Sequence, residues 1–152
     1  MYDPEERPTA EYSPQRRMTD MDTTDDDLSS RLSVPVERHW VQSGTVRLHV
    51  RAAGPRDGPL VVLLHGFPEF WYGWRHQIAP LVEAGYRVVV PDQRGYNGSS
   101  APTSVSAYDL DLLTTDVCRL IDAADREQAH IVGHDWGAMV AWHLALTHPD
   151  RI

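Results

Sequence analysis

Three short apolar runs, Leu60–Leu64 (LVVLL), Tyr86–Val90 (YRVVV) and Ala129–Val132 (AHIV), alternate with three stretches whose apolar residues recur at helical spacing. No other feature constrains the fold so tightly. An unbroken apolar run of this length suits a strand covered on both faces, as in a parallel sheet flanked by helices. The first helical stretch carries Trp74, Ile78, Leu81 and Val82, and Gly85 suits its end. The second carries Leu110, Leu113, Val117, Leu120, Ile121 and Ala124, with Asp109 and Asp111 favourable in its first turn. The third runs from Gly137 to Leu146 and stops near His148-Pro149. Ahead of all three runs, Val46, Leu48 and Val50 alternate with Arg47, His49 and Arg51, the period of a strand with one wet face. Val36–Gln42 reads as its partner, joined through Ser43-Gly44 as a hairpin. The expected class is therefore α/β, a mostly parallel sheet with an N-terminal antiparallel hairpin. Ligands gather beyond the carboxyl ends of strands in such sheets. His65–Trp74, Pro91–Ser100 and Gly133–Gly137 all start at such ends, which argues for one shared site.

The first 34 residues do not take part in this pattern. They hold nine acids and four arginines, are rich in Pro, Ser, Thr and Asp, and have almost no apolar periodicity. A disordered acidic tail over 1–34 and a folded portion over 35–152 are expected, because such a tail cannot offset the entropy of ordering. The tail carries most of the net charge of -8, a balance that argues against nucleic acid and anionic lipid as partners. No apolar run approaches the ~20 residues of a membrane helix. The start, MYDPEERPTA, has neither the basic flank nor the apolar core of a secretory signal. Cys118 is the single cysteine, so no internal disulfide can form; this fits a cytoplasmic location. It is read as an inert, buried or half-buried thiol on a helix. The eight histidines show no H-E-x-x-H or paired Cys/His spacing, so no metal site is expected.

The segment Gly133-His134-Asp135-Trp136-Gly137 joins a buried strand directly to a helix. Small residues two before and two after a central residue permit a sharp strand-to-helix turn that lifts the central side chain above the sheet. Taken alone, Asp135 fits a helix N-cap as well as a nucleophile. Upstream, His65-Gly66-Phe67-Pro68 follows the LVVLL strand, and Gly66 lets the chain pass close to a substrate.

HGFPEFWYGWRHQ, PDQRGYNGSS and GHDWGA, in that order and at these separations, resemble the epoxide hydrolases of the α/β-hydrolase superfamily. The resemblance runs from about Val36 to Ile152. It implies an α/β-hydrolase fold with Asp135 as nucleophile and the backbone N–H groups of Phe67 and Trp136 as an oxyanion hole. It implies attack on a small hydrophobic epoxide, an aspartyl ester, hydrolysis by a histidine-activated water and a vicinal diol product, with no cofactor. Two lid tyrosines bind the epoxide oxygen in that family. His65, Gly66, Pro68, Trp71 and His134 are the substrate-binding candidates around Asp135. Among these, the His65 ring is expected to support its loop rather than transfer protons, and His134 does not match the triad histidine in position. Trp71, Tyr72 and Trp74 suit either a cleft or a core, Trp71 being the better lining candidate. Asp92 and Arg94 are expected to pair within their loop.

The family's triad runs nucleophile, acid, histidine along the chain. Only 17 residues follow Asp135, with Asp150, His143 and His148 among them, and neither histidine is placed like the late triad histidine. The expectation is thus the N-terminal half of the enzyme, truncated after the nucleophile helix and catalytically incomplete, with no lid tyrosines. Two other readings stand beside it. A haloalkane or haloacid dehalogenase uses the same aspartate attack, although Phe67 stands where many haloalkane dehalogenases have Asn. A non-catalytic remnant or interaction protein is the reading of a different class. Cut at this point, AHIV would be an apolar sheet edge through which the chain self-associates.

Overall fold

The computed structural model describes residues 25–152. Their strands are β1 (Val36–Ser43), β2 (Val46–Ala53), β3 (Leu60–Leu64), β4 (Arg87–Pro91) and β5 (His130–Gly133). The helices are α1 (25–30), α2 (Arg75–Glu83), α3 (Leu110–Ala123) and α4 (Trp136–Thr147). The strands build one sheet of order β1-β2-β4-β3-β5. β2 pairs antiparallel with β1 and with β4, while β3 runs parallel to both β4 and β5. The expected hairpin followed by a parallel sheet is what forms.

The apolar runs are continuous because successive residues serve opposite faces. Leu60, Val62 and Leu64 pack with Val117, Leu120 and Ile121 of α3 and Val140 and Leu144 of α4. Val61 and Leu63 pack on the other face with Val88 and Val90 of β4, Ile78 of α2 and Trp71. Each such side chain contributes ~1.5–3 kcal/mol when fully buried, so the two clusters hold helices to both faces of β3 and β4.

The boundary expected at residue 34 is corrected by the structure. Residues 25–30 are helical, and Leu28, Leu32 and Val34 pack against the α2-side cluster. The physical reason is charge as well as apolar contact. Asp25 is buried and accepts hydrogen bonds from Arg51 of β2 and from the Trp71 indole. A tally of acidic residues cannot distinguish a solvated carboxylate from one with a buried cation waiting for it. The remainder of the expected tail, 1–24, lies outside the described residues.

Among the described residues, β5 pairs with β3 alone and forms one edge of the sheet. Beside it α4 presents Met139, Trp142 and Leu146 to solvent, Trp142 being 72% and Leu146 79% exposed. No helix among the described residues is long and apolar enough to cross a membrane.

Candidate active site

The three segments singled out at strand ends converge beyond the carboxyl ends of β3, β4 and β5. β5 turns into α4 within two residues, His134 and Asp135. The turn forces Asp135 to φ 52° and ψ -119°, a conformation that a non-glycine residue holds at a cost of ~1–3 kcal/mol. Asp135 is therefore not an ordinary N-cap. Its side chain makes no capping hydrogen bond to the helix.

The flanking glycines are required by contact distance. A Cβ on Gly133 would lie 2.4 Å from the Gly137 carbonyl oxygen, and one on Gly137 would lie 2.2 Å from the Leu64 carbonyl oxygen. Both obstacles are backbone and cannot rotate away. Gly137→Ala is expected to destabilise the fold by about 3 kcal/mol, read as a lower urea midpoint at unchanged slope.

Opposite the elbow, the loop after β3 crosses close to Asp135. A Cβ on Gly66 would sit 2.5 Å from the Asp135 Cβ, so only glycine lets this approach occur. The approach places the Phe67 N–H 3.0 Å from Asp135 Oδ2, and it donates there. The backbone N–H of Trp136, first residue of α4, also acts on this carboxyl and favours its charged form. The Phe67 bond first, then the Trp136 amide and the nearby His134, hold the Asp135 pKa below the ordinary carboxylate value and keep the group anionic. The carboxylate faces solvent, as do Phe67, Pro68, His134 and Trp136. His134 Nδ1 lies 3.3 Å from Glu69 Oε2, which ties the elbow to the loop a second time.

His65 is fully buried, which corrects its place among the substrate-binding candidates, and its ring is used to hold the loop. Its Nδ1 donates to the Gly66 carbonyl and its Nε2 accepts the Gln93 N–H at 2.9 Å, so burial lowers its pKa and the ring is neutral. Two further expectations are corrected. Trp71 is 0% exposed and its ring belongs to the core beneath the loop rather than to a cleft. Its indole N–H finds Asp25, its backbone N–H finds Asp92, and both partners lie inward. Asp92 and Arg94 do not pair. Arg94 makes a bidentate bridge to Asp116 of α3 at 2.9 and 2.7 Å, the planar fork geometry that favours a carboxylate. Asp92 instead accepts from His49 Nδ1 at 2.7 Å, Asn97 Nδ2 at 2.7 Å and the Trp71 amide at 2.9 Å.

Sequence reasoning missed Glu69, Gln93 and Tyr96. Tyr96 sits edge-on to His65 with ring centroids 4.8 Å apart, and burial followed by the charge of Asp135 raises its phenol pKa. The signal was its place in PDQRGYNGSS just after β4. Cys118 is half-buried on α3, and burial raises its pKa, which keeps it a thiol. Among the described residues, no group of three or more His, Cys, Asp or Glu side chains converges as a metal site.

Behind the loop lies a buried ionic cluster. His49 is held between Asp92 and Asp25, its Nε2 being 3.2 Å from Asp25 Oδ2. Burial alone would lower its pKa, but the two carboxylates outweigh this and raise it to about 9. Arg51 also reaches Asp25, and the Trp40 ring covers His49 edge-on. An unfolded histidine titrates near ~6.5. The stabilisation from charged His49 is therefore complete below that pH and lost as pH rises toward about 9. The melting temperature is expected to fall between pH 6.5 and 9, and His49→Gln to flatten that fall.

The chain matches the family described as alpha/beta hydrolase fold over residues 59–152. It is 56% identical over 117 residues to the AB hydrolase superfamily protein YfhM of Bacillus subtilis (strain 168), covering 77% of this chain and 41% of that protein. It is 51% identical over 121 residues to Epoxide hydrolase A of Mycobacterium tuberculosis, covering 80% of this chain and 37% of that one. Among solved structures, epoxide hydrolase A from Mycobacterium thermoresistibile superposes with a TM-score of 0.75 at 54% identity, over 77% of this chain and 37% of that one. The chain thus spans about two fifths of the length of these relatives.

Proposed function

Because the chain belongs to the alpha/beta hydrolase fold family, we propose that it carries the nucleophilic part of an epoxide hydrolase, with Asp135 as the attacking group. One observation carries this reading: the Asp135 carboxylate sits at the apex of a strained elbow, exposed, and accepts the Phe67 N–H of the opposite loop at 3.0 Å. The names of two relatives, epoxide hydrolases that are 51% and 54% identical, support the substrate class.

The chemistry follows from charge and placement. Serine in this position needs a base before it attacks, whereas a carboxylate is already an anion at neutral pH. An Asp135 oxygen displaces the ring oxygen from one epoxide carbon. One C–O bond forms, one breaks, and the ring oxygen leaves as an alkoxide that takes up a proton. The product is an aspartyl ester. Its carbonyl oxygen remains within reach of the Phe67 and Trp136 amides. Water then adds to that carbonyl, and the same two N–H groups stabilise the oxyanion, each lowering the barrier by on the order of 3 kcal/mol. Loss of the diol restores the carboxylate.

The aspartyl ester is the species that tests this reading. Incubation with styrene oxide should add one epoxide mass to the intact chain, and peptide mapping should find it on Asp135. Chloride release from a chloroalkane in preference to this adduct would sink the assignment and favour the dehalogenase chemistry. The proposal extends to self-association. Among the described residues β5 pairs with β3 alone and α4 beside it exposes Met139, Trp142 and Leu146, which supports pairing between copies through this side. Light scattering at micromolar concentration should report a species larger than 17.2 kDa.

A further inference from the structure

We propose that Asp25 is a positioning residue for the loop that carries Phe67: by holding the Trp71 indole, helix α1 fixes the far end of that loop and with it the Phe67–Asp135 contact. The family match begins at residue 59, well after this helix. The proposal relies on the reading of Phe67 and Asp135 for its catalytic meaning. Its test reads loop geometry, so a failed epoxide assay would leave it standing.

The loop between β3 and Trp71 has two anchors. At its start, His65 bonds the Gln93 amide and the Gln93 side chain bonds the His65 carbonyl. Within it, the Glu69 amide closes a turn on the Gly66 carbonyl at 2.9 Å. At its end stands Trp71, fully buried and held at two points. The Trp71 amide donates to Asp92, which belongs to the sheet side of the site, and the indole N–H donates to Asp25, which belongs to α1. Only three residues separate Phe67 from Trp71, and Gly66 has no room even for a Cβ beside Asp135, so a shift of the indole has little slack to absorb it.

Asp25 is suited to the task by charge. It is the buried carboxylate shared by Arg51, His49 and the indole, and Asp26 reaches the same guanidinium from a more exposed position at 3.0 Å. Three donors of different kinds meet one side chain, and a buried donor left without an acceptor is costly. Removal of Asp25 therefore leaves the Trp71 indole N–H without its acceptor, and the ring must turn or move outward to find another.

The test uses amide exchange and carboxyl titration by NMR in the full chain. In Asp25→Ala the Phe67 amide is expected to exchange about tenfold faster, while Val62 in β3 keeps its protection. The Asp135 titration should move up toward the ordinary carboxylate value, because the Phe67 N–H no longer holds the anion. Trp71→Phe removes the indole N–H but leaves Asp25 with its Arg51 and His49 partners and keeps an aromatic ring under the Arg51 guanidinium, so it should loosen Phe67 in the same way even if Asp25→Ala fails to fold. Asp25→Asn keeps an acceptor for the indole and should retain Phe67 protection. Unchanged Phe67 exchange and Asp135 titration in Trp71→Phe would overturn the proposal. So would equal acceleration of Phe67 and Val62 in both variants, because that reports general loosening.

Discussion

Asp135→Ala is expected to abolish adduct formation with styrene oxide, lowering its rate by a factor of about 10⁴ or more, as removal of a nucleophile does. Asp135→Asn should be nearly as inert, since an amide oxygen is a poor nucleophile although its size is unchanged. The same position should respond in the opposite sense to a stability measurement. The φ of 52° is one that glycine adopts without penalty. Asp135→Gly is therefore expected to raise the unfolding free energy by about 1 kcal/mol while eliminating the reaction. Intact-mass kinetics and urea titration on these three variants check both halves. A fully inert Asp135→Ala together with a more stable Asp135→Gly would place chemistry and strain on the same residue. An adduct that still forms in Asp135→Ala would remove Asp135 from the mechanism.

Asp92→Ala should be the most destabilising single change in the chain. Asp92 is completely buried and accepts from the His49 ring, the Asn97 side chain, the Trp71 amide and the Gly98 amide. Its own carbonyl accepts the Ser99 hydroxyl, so the following turn is built around it. Deleting the carboxylate strands two backbone donors and leaves His49 facing Asp25 alone. Breaking one partner out of a buried charge pair costs about 3–5 kcal/mol. That is a large share of the ~5–15 kcal/mol by which a domain is stable. Circular dichroism should show a chain that is mostly unfolded near 37 °C. Asp92→Asn retains one acceptor and should fall between the two. Full retention of the wild-type melting temperature by Asp92→Ala would contradict the network described around it.

The parts of the fold that could be read from sequence are those set by short-range pattern. LVVLL announces a strand with two covered faces because every second residue serves each face, and the structure divides it that way. Gly133 and Gly137 announce an elbow because no Cβ fits beside the Gly137 and Leu64 carbonyls. The resemblance implies the Phe67 and Trp136 amides as donors, and the structure brings the Phe67 N–H to 3.0 Å from Asp135 Oδ2. What stayed illegible depends on contacts between distant positions. Asp25 finds Arg51 and Trp71 across 26 and 46 residues, so its value as a buried anion is invisible in a local charge count. Asp92 and Arg94 looked like partners because they are neighbours in sequence. Asp92 lies beneath the loop beside His49, while Arg94 reaches across to Asp116 on α3. Trp71 stays open between cleft and core in the sequence because aromatic spacing does not say which side of a loop a ring occupies; the structure buries it.

The strand order has a consequence for synthesis. β2 and β3 follow one another in the chain but never touch, because β4 lies between them. As the polypeptide leaves the ribosome, β2 has β1 on one side and nothing on the other until β4 emerges. The last residue of β2 is Ala53 and the first of β4 is Arg87, 34 residues later. At ~5–20 residues per second that interval lasts roughly 2–7 s. During it the row of backbone groups along β2 that β4 will bond is exposed to any other nascent chain. The earliest hazard in the life of this protein is therefore the side of its own hairpin, seconds before the site residues at Asp135 have been translated.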